Sequence, residues 1–132
     1  MTDKDRIILE KIRRWAEKAE VDYQAVRSEY EPTPFSNSVI LTAFSLAQIG
    51  ELSGRVSEEL QQEYKDVPWR QIKGMRNLII HDYTGIDMQI VRDTVEHDVP
   101  GLRKRINEIL TADQQKERAP KQDRKKSRER ER

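Results

Sequence analysis

"NSVILTAFSLAQIGELSG", residues 37–54, decides how the rest of the chain is read. Ile40, Ala43, Ala47, Gly50 and Gly54 recur at steps of three and four, the spacing of one ridge on an α-helix. Most of that ridge is small. Glycine inside a helix costs about 0.5–1 kcal/mol relative to alanine, so two on one face point to a second helix backbone passing close by. Val39, Phe44, Leu46 and Ile49 lie beside the ridge, and Val56 and Leu60 continue the apolar supply. The pattern predicts a long helix from Asn37 to about Tyr64, packed tightly against a neighbour.

Helical spacing extends in both directions from this stretch. Ile8, Ile12, Trp15, Ala19 and Val26 form an apolar stripe over residues 3–30, interrupted by Asp22 and flanked by charge. The two prolines of "EYEPTPFS" end that helix, and Ser36 or Asn37 can cap the next. After "KDVPW", with Asp66 as N-cap and Pro68 in the first turn, a third helix is expected from Trp69 to about Tyr83, stopped at Gly85. Asp87 can cap a fourth, "MQIVRDTVEHDV". Pro100 either separates this from a fifth, "GLRKRINEIL", or kinks the two into one bent rod. Short loops and the lack of strand patterning predict an all-α, up-and-down bundle of four to five helices over residues 1–110.

Composition agrees with this class. Charged residues make up 37% of the 132 and apolar ones 35%, a thin core that favours burial against a second copy, hence a homodimer. Five glycines and five prolines are too few for a many-stranded sandwich or barrel. With no cysteine, disulfides and thiolate metal sites are excluded. No apolar run approaches the ~20 residues that cross a bilayer, and "MTDKDRIILEKIRR" is not a signal peptide, so a cytoplasmic protein without membrane contact is expected. The net charge of +1 hides an asymmetry. Residues 111–132 carry nine Lys/Arg and five Asp/Glu, which leaves 16 of the 25 basic and 19 of the 24 acidic residues for 1–110. A basic tail without apolar periodicity is expected to be disordered from Thr111 onward, keeping the protein soluble or docking loosely on phosphates.

The chemistry-bearing run is "GMRNLIIHDYTGID", residues 74–87. Cleaving RNA with its own 2′-hydroxyl needs a group that takes and returns a proton, together with positive charge where the phosphorane forms. Histidine titrates near neutrality, and arginine presents a fork of donors matched to phosphate oxygens. Arg76 and His81 are thus a minimal kit for metal-independent phosphodiester cleavage. On an ideal helix they lie about 140° apart, with Asn77 sharing the face of His81 and Arg76 that of Tyr83. A long arginine side chain, a helix loosened before Gly85, or a second copy of the chain would bring them together. Residue types alone also admit a structural reading, with His81 at a helix end, Tyr83 a half-buried anchor and Asp82 paired to a neighbouring base.

The wider strings "IGELSGRVSEE", "VPWRQIKGMRNLIIHDYTGID" and "TVEHDVPGLRKRI" closely resemble the HepT-like branch of the HEPN superfamily, toxin partners of minimal nucleotidyltransferase antitoxins. The likeness spans roughly residues 5–110. Its core is Arg–x4–His–x–Tyr, met by Arg76, His81 and Tyr83 with Asn77 after the arginine, and flanked by Pro68–Trp69, Gly74–Met75 and Gly85–Asp87. The resemblance implies a dimeric helical bundle with a metal-independent endoribonuclease site needing no cofactor, leaving a cyclic phosphate. His81 would move the proton, Arg76 would hold the phosphate, and Asn77 would orient one of them or the substrate. It further implies that a nucleotidyltransferase partner adenylylates Tyr83 and silences the toxin. Leu52-Ser53-Gly54 departs from the alanines more usual in relatives, and Glu51 of "IGE" is a candidate ion-pair partner for Arg76 or a plain surface carboxylate.

Two other readings compete. The chain is alternatively a non-catalytic HEPN-type module that binds a nucleotidyltransferase or a nucleotide. A metal-dependent phosphohydrolase built on His81–Asp82 or His97–Asp98 is disfavoured, because it needs several His and Asp ligands and only two histidines occur; a dinucleotide or P-loop site is disfavoured because no Gly-rich phosphate loop is present. Trp15, Trp69 and Tyr23 are expected to be packing anchors, and His97 a polar residue at a helix end.

Overall fold

Residues 1–81 and 85–118 are described by the computed structural model of this chain. Helix α1 (Asp3–Ser28) starts where the Thr2 hydroxyl accepts from the Asp5 N–H at 3.1 Å, with Asp3 and Asp5 in its positively polarised first turn. It buries Ile8, Leu9, Ile12, Ala16, Ala19, Tyr23 and Val26. Trp15 sits at the edge of this stripe, only half-buried, and packs edge-to-face on Phe44 at 5.5 Å. The other two aromatic anchors are buried. Tyr23 donates to Glu96 at 2.7 Å, and the Trp69 indole N–H donates to the Tyr64 carbonyl at 3.0 Å.

Helix α2 (Asn37–Ser53) packs against α1 and is apolar almost all round. Its buried hydroxyls do not break it, because Thr42 donates to the Ser38 carbonyl at 2.7 Å and Ser45 to that of Leu41 at 3.1 Å. Ser36 occupies the N-cap position, yet its hydroxyl accepts from Thr33 in the preceding turn.

The long helix expected to reach Tyr64 is broken. It stops at Ser53, and a separate α3 (Glu58–Glu63) begins after Ser57. A contact distant in sequence makes the break. The buried Asp5 carboxylate accepts from both the N–H (2.9 Å) and the hydroxyl of Ser57, while the Ser57 hydroxyl caps the Leu60 N–H. These bonds hold Ser57 in extended backbone that a continuous helix would not allow.

Helix α4 (Trp69–Ile79) also ends earlier than expected. Pro68, not Asp66, stands at its N-cap; Asp66 instead pairs with Arg105 through both carboxylate oxygens, at 2.6 and 3.3 Å. That fork of hydrogen bonds from the Arg105 guanidinium holds the Asp66 carboxyl below its usual range. After Ile79 the chain becomes extended as β1 (Ile80–His81), which pairs antiparallel with β2 (Gly85–Ile86) in the register Ile80 to Ile86 and His81 to Gly85. Asp82, Tyr83 and Thr84 lie outside the described residues.

Helix α5 (Met88–Asp93) runs through a π-helical turn (Thr94–Asp98) into α6 (Val99–Arg118) without interruption. One bent rod results, the second of the two outcomes open for Pro100. Proline cannot donate to the Glu96 carbonyl, and the Val99 N–H reaches back to Thr94, five residues earlier. His97 therefore lies inside the rod, in the π turn, and not at a helix end.

The described residues form an all-α bundle of α1, α2, α4 and the α5–α6 rod, with α3 as a short link. Its core is drawn from all of them, including Leu46, Ile49, Ile79, Val91, Ile106 and Ile109. No helix among the described residues is long and apolar enough to cross a membrane.

Disorder was expected from Thr111 onward, but α6 is helical to Arg118. Polar ties hold this end. Arg6 Nε donates to the buried Asp113 at 2.8 Å, Arg6 also pairs with Glu117, and Lys116 lies 3.8 Å from Glu63. Apolar periodicity carries no signal for anchors of this kind. Residues 119–132, the rest of that expected tail, lie outside the described residues.

Candidate functional site

Gly50 sets the position of α4. A Cβ built on it would sit 3.0 Å from the Ile72 carbonyl oxygen, 3.5 Å from that of Lys73 and 3.6 Å from the Arg76 nitrogen. The glycine end of the α2 ridge, Gly50 and Gly54, is thus filled by α4 of the same chain. The close approach brings the turn carrying Arg76 beside Glu51, the residue next to Gly50.

Arg76 Nε lies 4.0 Å from Glu51 Oε1, and its Nη1 donates to Asn77 Oδ1 at 3.3 Å. Both members of the ion pair are about half exposed, 46% and 55%. A solvated pair at that separation contributes well under 1 kcal/mol, so Glu51 orients the guanidinium without locking it away from a phosphate. Glu51 is therefore placed as the ion-pair alternative had it.

His81 is not on a helix. Helix α4 closes at Ile79, the Ile80 N–H is taken by the Arg76 carbonyl, and His81 stands on β1 with its side chain 44% exposed. The helix-wheel separation of 140° between Arg76 and His81 therefore does not apply. No hydrogen bond joins these two side chains among the described residues. Arg76 and Asn77 form one polar group at the end of α4, and His81 the next, on the adjoining strand. Tyr83, the candidate modification site, lies outside the described residues.

Asp87 is the neighbour of His81 that residue patterning did not reveal. The β1–β2 return places Asp87 Oδ2 3.7 Å from His81 Nε2. Its N–H donates to the Ile79 carbonyl at 2.8 Å, and its Oδ1 caps the Ile90 N–H at 3.1 Å. The sequence shows only the capping role, because the contact with His81 depends on the hairpin. Gly85 closes that hairpin with φ +81°, a left-handed conformation that side chains disfavour.

A groove of about 680 Å³ lies elsewhere. It runs between α4 and the α5–α6 rod, lined by residues such as Ile72, Met75, Leu78 and Leu102, and does not include Arg76, Asn77 or His81. Among the described residues, no three His, Asp or Glu side chains gather as metal ligands would.

The family model "Ribonuclease HepT-like" matches residues 8–109, nearly the whole described bundle. The chain belongs to the HepT-like family. Among its relatives are "Putative RNase TTE0752" of Caldanaerobacter subterraneus subsp. tengcongensis, 38% identical over 74 residues, and "Probable ribonuclease HepT" of Thermococcus cleftensis, 31% identical over 65. The matched segments cover 54% and 49% of this chain, and 66% and 59% of those two proteins. The chain thus spans less than two thirds of the length of these relatives. No solved structure matches.

Proposed function

We propose that this HepT-like chain is a metal-independent endoribonuclease, the toxin of a toxin–antitoxin pair. The observation that carries the reading is that Arg76 and Asn77 are exposed on the last turn of α4 and His81 is exposed on the strand that follows, within a HepT-like domain. His81 takes the proton of an RNA 2′-hydroxyl, and the freed oxygen attacks the adjacent phosphorus. The 5′-oxygen leaves and receives a proton from an imidazolium, and the product strand ends in a 2′,3′-cyclic phosphate. Arg76 stays cationic throughout and balances the charge that builds on the phosphorane oxygens. Asn77, bonded to that guanidinium, orients it or the substrate.

The active form is a homodimer. Ile40, Leu41 and Phe44 on α2 and Leu78 on α4 are all more than two-fifths exposed, apolar surface of the kind that self-association covers. Tyr83, two residues after His81, is the site at which a nucleotidyltransferase antitoxin transfers AMP. The added phosphate there competes with substrate phosphate for Arg76.

The test is cleavage of RNA in EDTA by the purified protein and by His81→Ala and Arg76→Ala. The expected outcome is cleavage by the parent and a loss of about 10²-fold or more in each variant, the usual contribution of a proton-transfer group. Absence of cleavage by the parent favours the binding-module reading, and equal cleavage by His81→Ala removes His81 from the chemistry.

A further inference from the structure

We propose that Asp87 is the positioning residue of His81: it holds the neutral ring as the Nε2–H tautomer and leaves Nδ1 as the atom that takes the substrate proton. The inference rests on the reading of His81 as the proton-transfer group, and it adds a residue, a tautomer and an acting atom to that reading.

Asp87 is fixed at two points before it meets the histidine. Its N–H donates to Ile79 at the base of the hairpin, and Oδ1 accepts from the Ile90 N–H at the start of α5. With both committed, the remaining oxygen, Oδ2, faces His81 Nε2 at 3.7 Å. That is an ion-pair separation. A ring movement of about 0.8 Å converts it to a hydrogen bond of ordinary length, and catalytic hydrogen bonds in unliganded enzymes commonly tighten in this way. A carboxylate can only accept, so the ring nitrogen facing it carries the hydrogen. Once Nδ1 has taken the 2′-hydroxyl proton, the imidazolium stands beside a carboxylate anchored independently of it. The logic is that of the Asp in a Ser-His-Asp triad, with the two ring nitrogens exchanged.

The geometry provides a discriminating variant. In Asp87→Asn the amide oxygen must still accept from Ile90, because asparagine caps helices about as well as aspartate. Its NH2 group then takes the place of Oδ2 and donates to Nε2, which inverts the tautomer while leaving the cap in place. The experiment is nitrogen-15 NMR of the His81 ring in the neutral range, together with kcat and KM for RNA cleavage and thermal melting, for the parent, Asp87→Asn and Asp87→Ser. Serine keeps a capping hydroxyl but falls short of the ring.

The expected parent signal is Nε2–H, changing to Nδ1–H in Asp87→Asn and to a mixture in Asp87→Ser. Alongside it, kcat falls at least about tenfold with KM within about twofold and little change in melting, as loss of the tautomer does in a triad. A parent-like tautomer in Asp87→Asn, or an unchanged kcat, overturns the proposal. If the parent cleaves no RNA, the nuclease reading falls, and the tautomer measurement by itself decides whether Asp87 sets the ring.

Discussion

A methyl group placed on Gly50 sets helix propensity against packing. Alanine in a helix interior is favoured over glycine by about 1 kcal/mol, so propensity alone makes Gly50→Ala stabilising. Against this, the new Cβ would meet the Ile72 carbonyl oxygen at 3.0 Å. That oxygen belongs to a helix ladder and cannot swing aside as a side-chain tip does. To restore contact of at least ~3.4 Å, α2 and α4 must separate by roughly 0.4 Å along the line where they meet, and overpacking of this kind typically costs about 1–3 kcal/mol. The net expectation for Gly50→Ala is destabilisation of about 1 kcal/mol. Gly50→Val adds bulk and loses propensity, and is expected to cost about 3 kcal/mol or more. Urea unfolding measures both. With m near 2 kcal/mol/M, a value usual for small domains, Gly50→Ala lowers the midpoint by about 0.5 M with m unchanged. Gly101 is the control, since nothing lies within 4 Å of a Cβ built there, and Gly101→Ala should raise the midpoint by up to a similar amount. If Gly50→Ala and Gly101→Ala stabilise equally, α2 and α4 do not touch at Gly50, and the placement of Arg76 beside Glu51 loses its cause.

Other outcomes follow from single contacts. Gly85→Ala puts a side chain at φ +81° and should cost about 1–2 kcal/mol in chemical denaturation, with an additional loss of RNA cleavage because the same hairpin carries His81. Asp5→Ala strips the acceptors from the Ser57 N–H and hydroxyl and is expected to cost about 2–3 kcal/mol, with Asp5→Asn, which keeps one acceptor, nearer the parent. Burial, then the hydrogen bond to Glu96, raises the Tyr23 pKa above its ordinary value. The folded state therefore binds this proton more tightly than the unfolded chain, and the stability it gives is full below about pH 10 and lost as pH rises through the folded pKa. Tyr23→Phe should accordingly be less stable by about 1 kcal/mol at neutral pH, with the gap narrowing in alkaline melts; a gap that widens there would contradict the assigned cause.

Much of this protein was legible in residue order. The α1 stripe of Ile8, Ile12, Ala19 and Val26, the helix from Asn37, the Asp87 cap and the all-α class all follow from periodicity and capping chemistry, which act over one or two turns. The glycine signal at Gly50 also reported a real close approach, because the cost of a glycine in mid-helix is local and its compensation must lie nearby. The run carrying Arg76, Asn77 and His81 stood out because an arginine and a histidine interrupt a segment otherwise rich in Leu and Ile.

Tertiary contact decided the rest. Asp5 reaches Ser57 across 52 positions and splits a helix that looked continuous, and Arg6 reaches Asp113 across 107 and keeps α6 helical beyond its last apolar turn. Helix α4 stops at Ile79 because Ile80 finds a strand partner in Ile86, and that return alone brings Asp87 to His81. A chain specifies its local conformations through neighbours a few residues away, whereas hydrogen-bond acceptors and charges act on whatever folding carries into reach, so sequence spacing does not reveal those meetings.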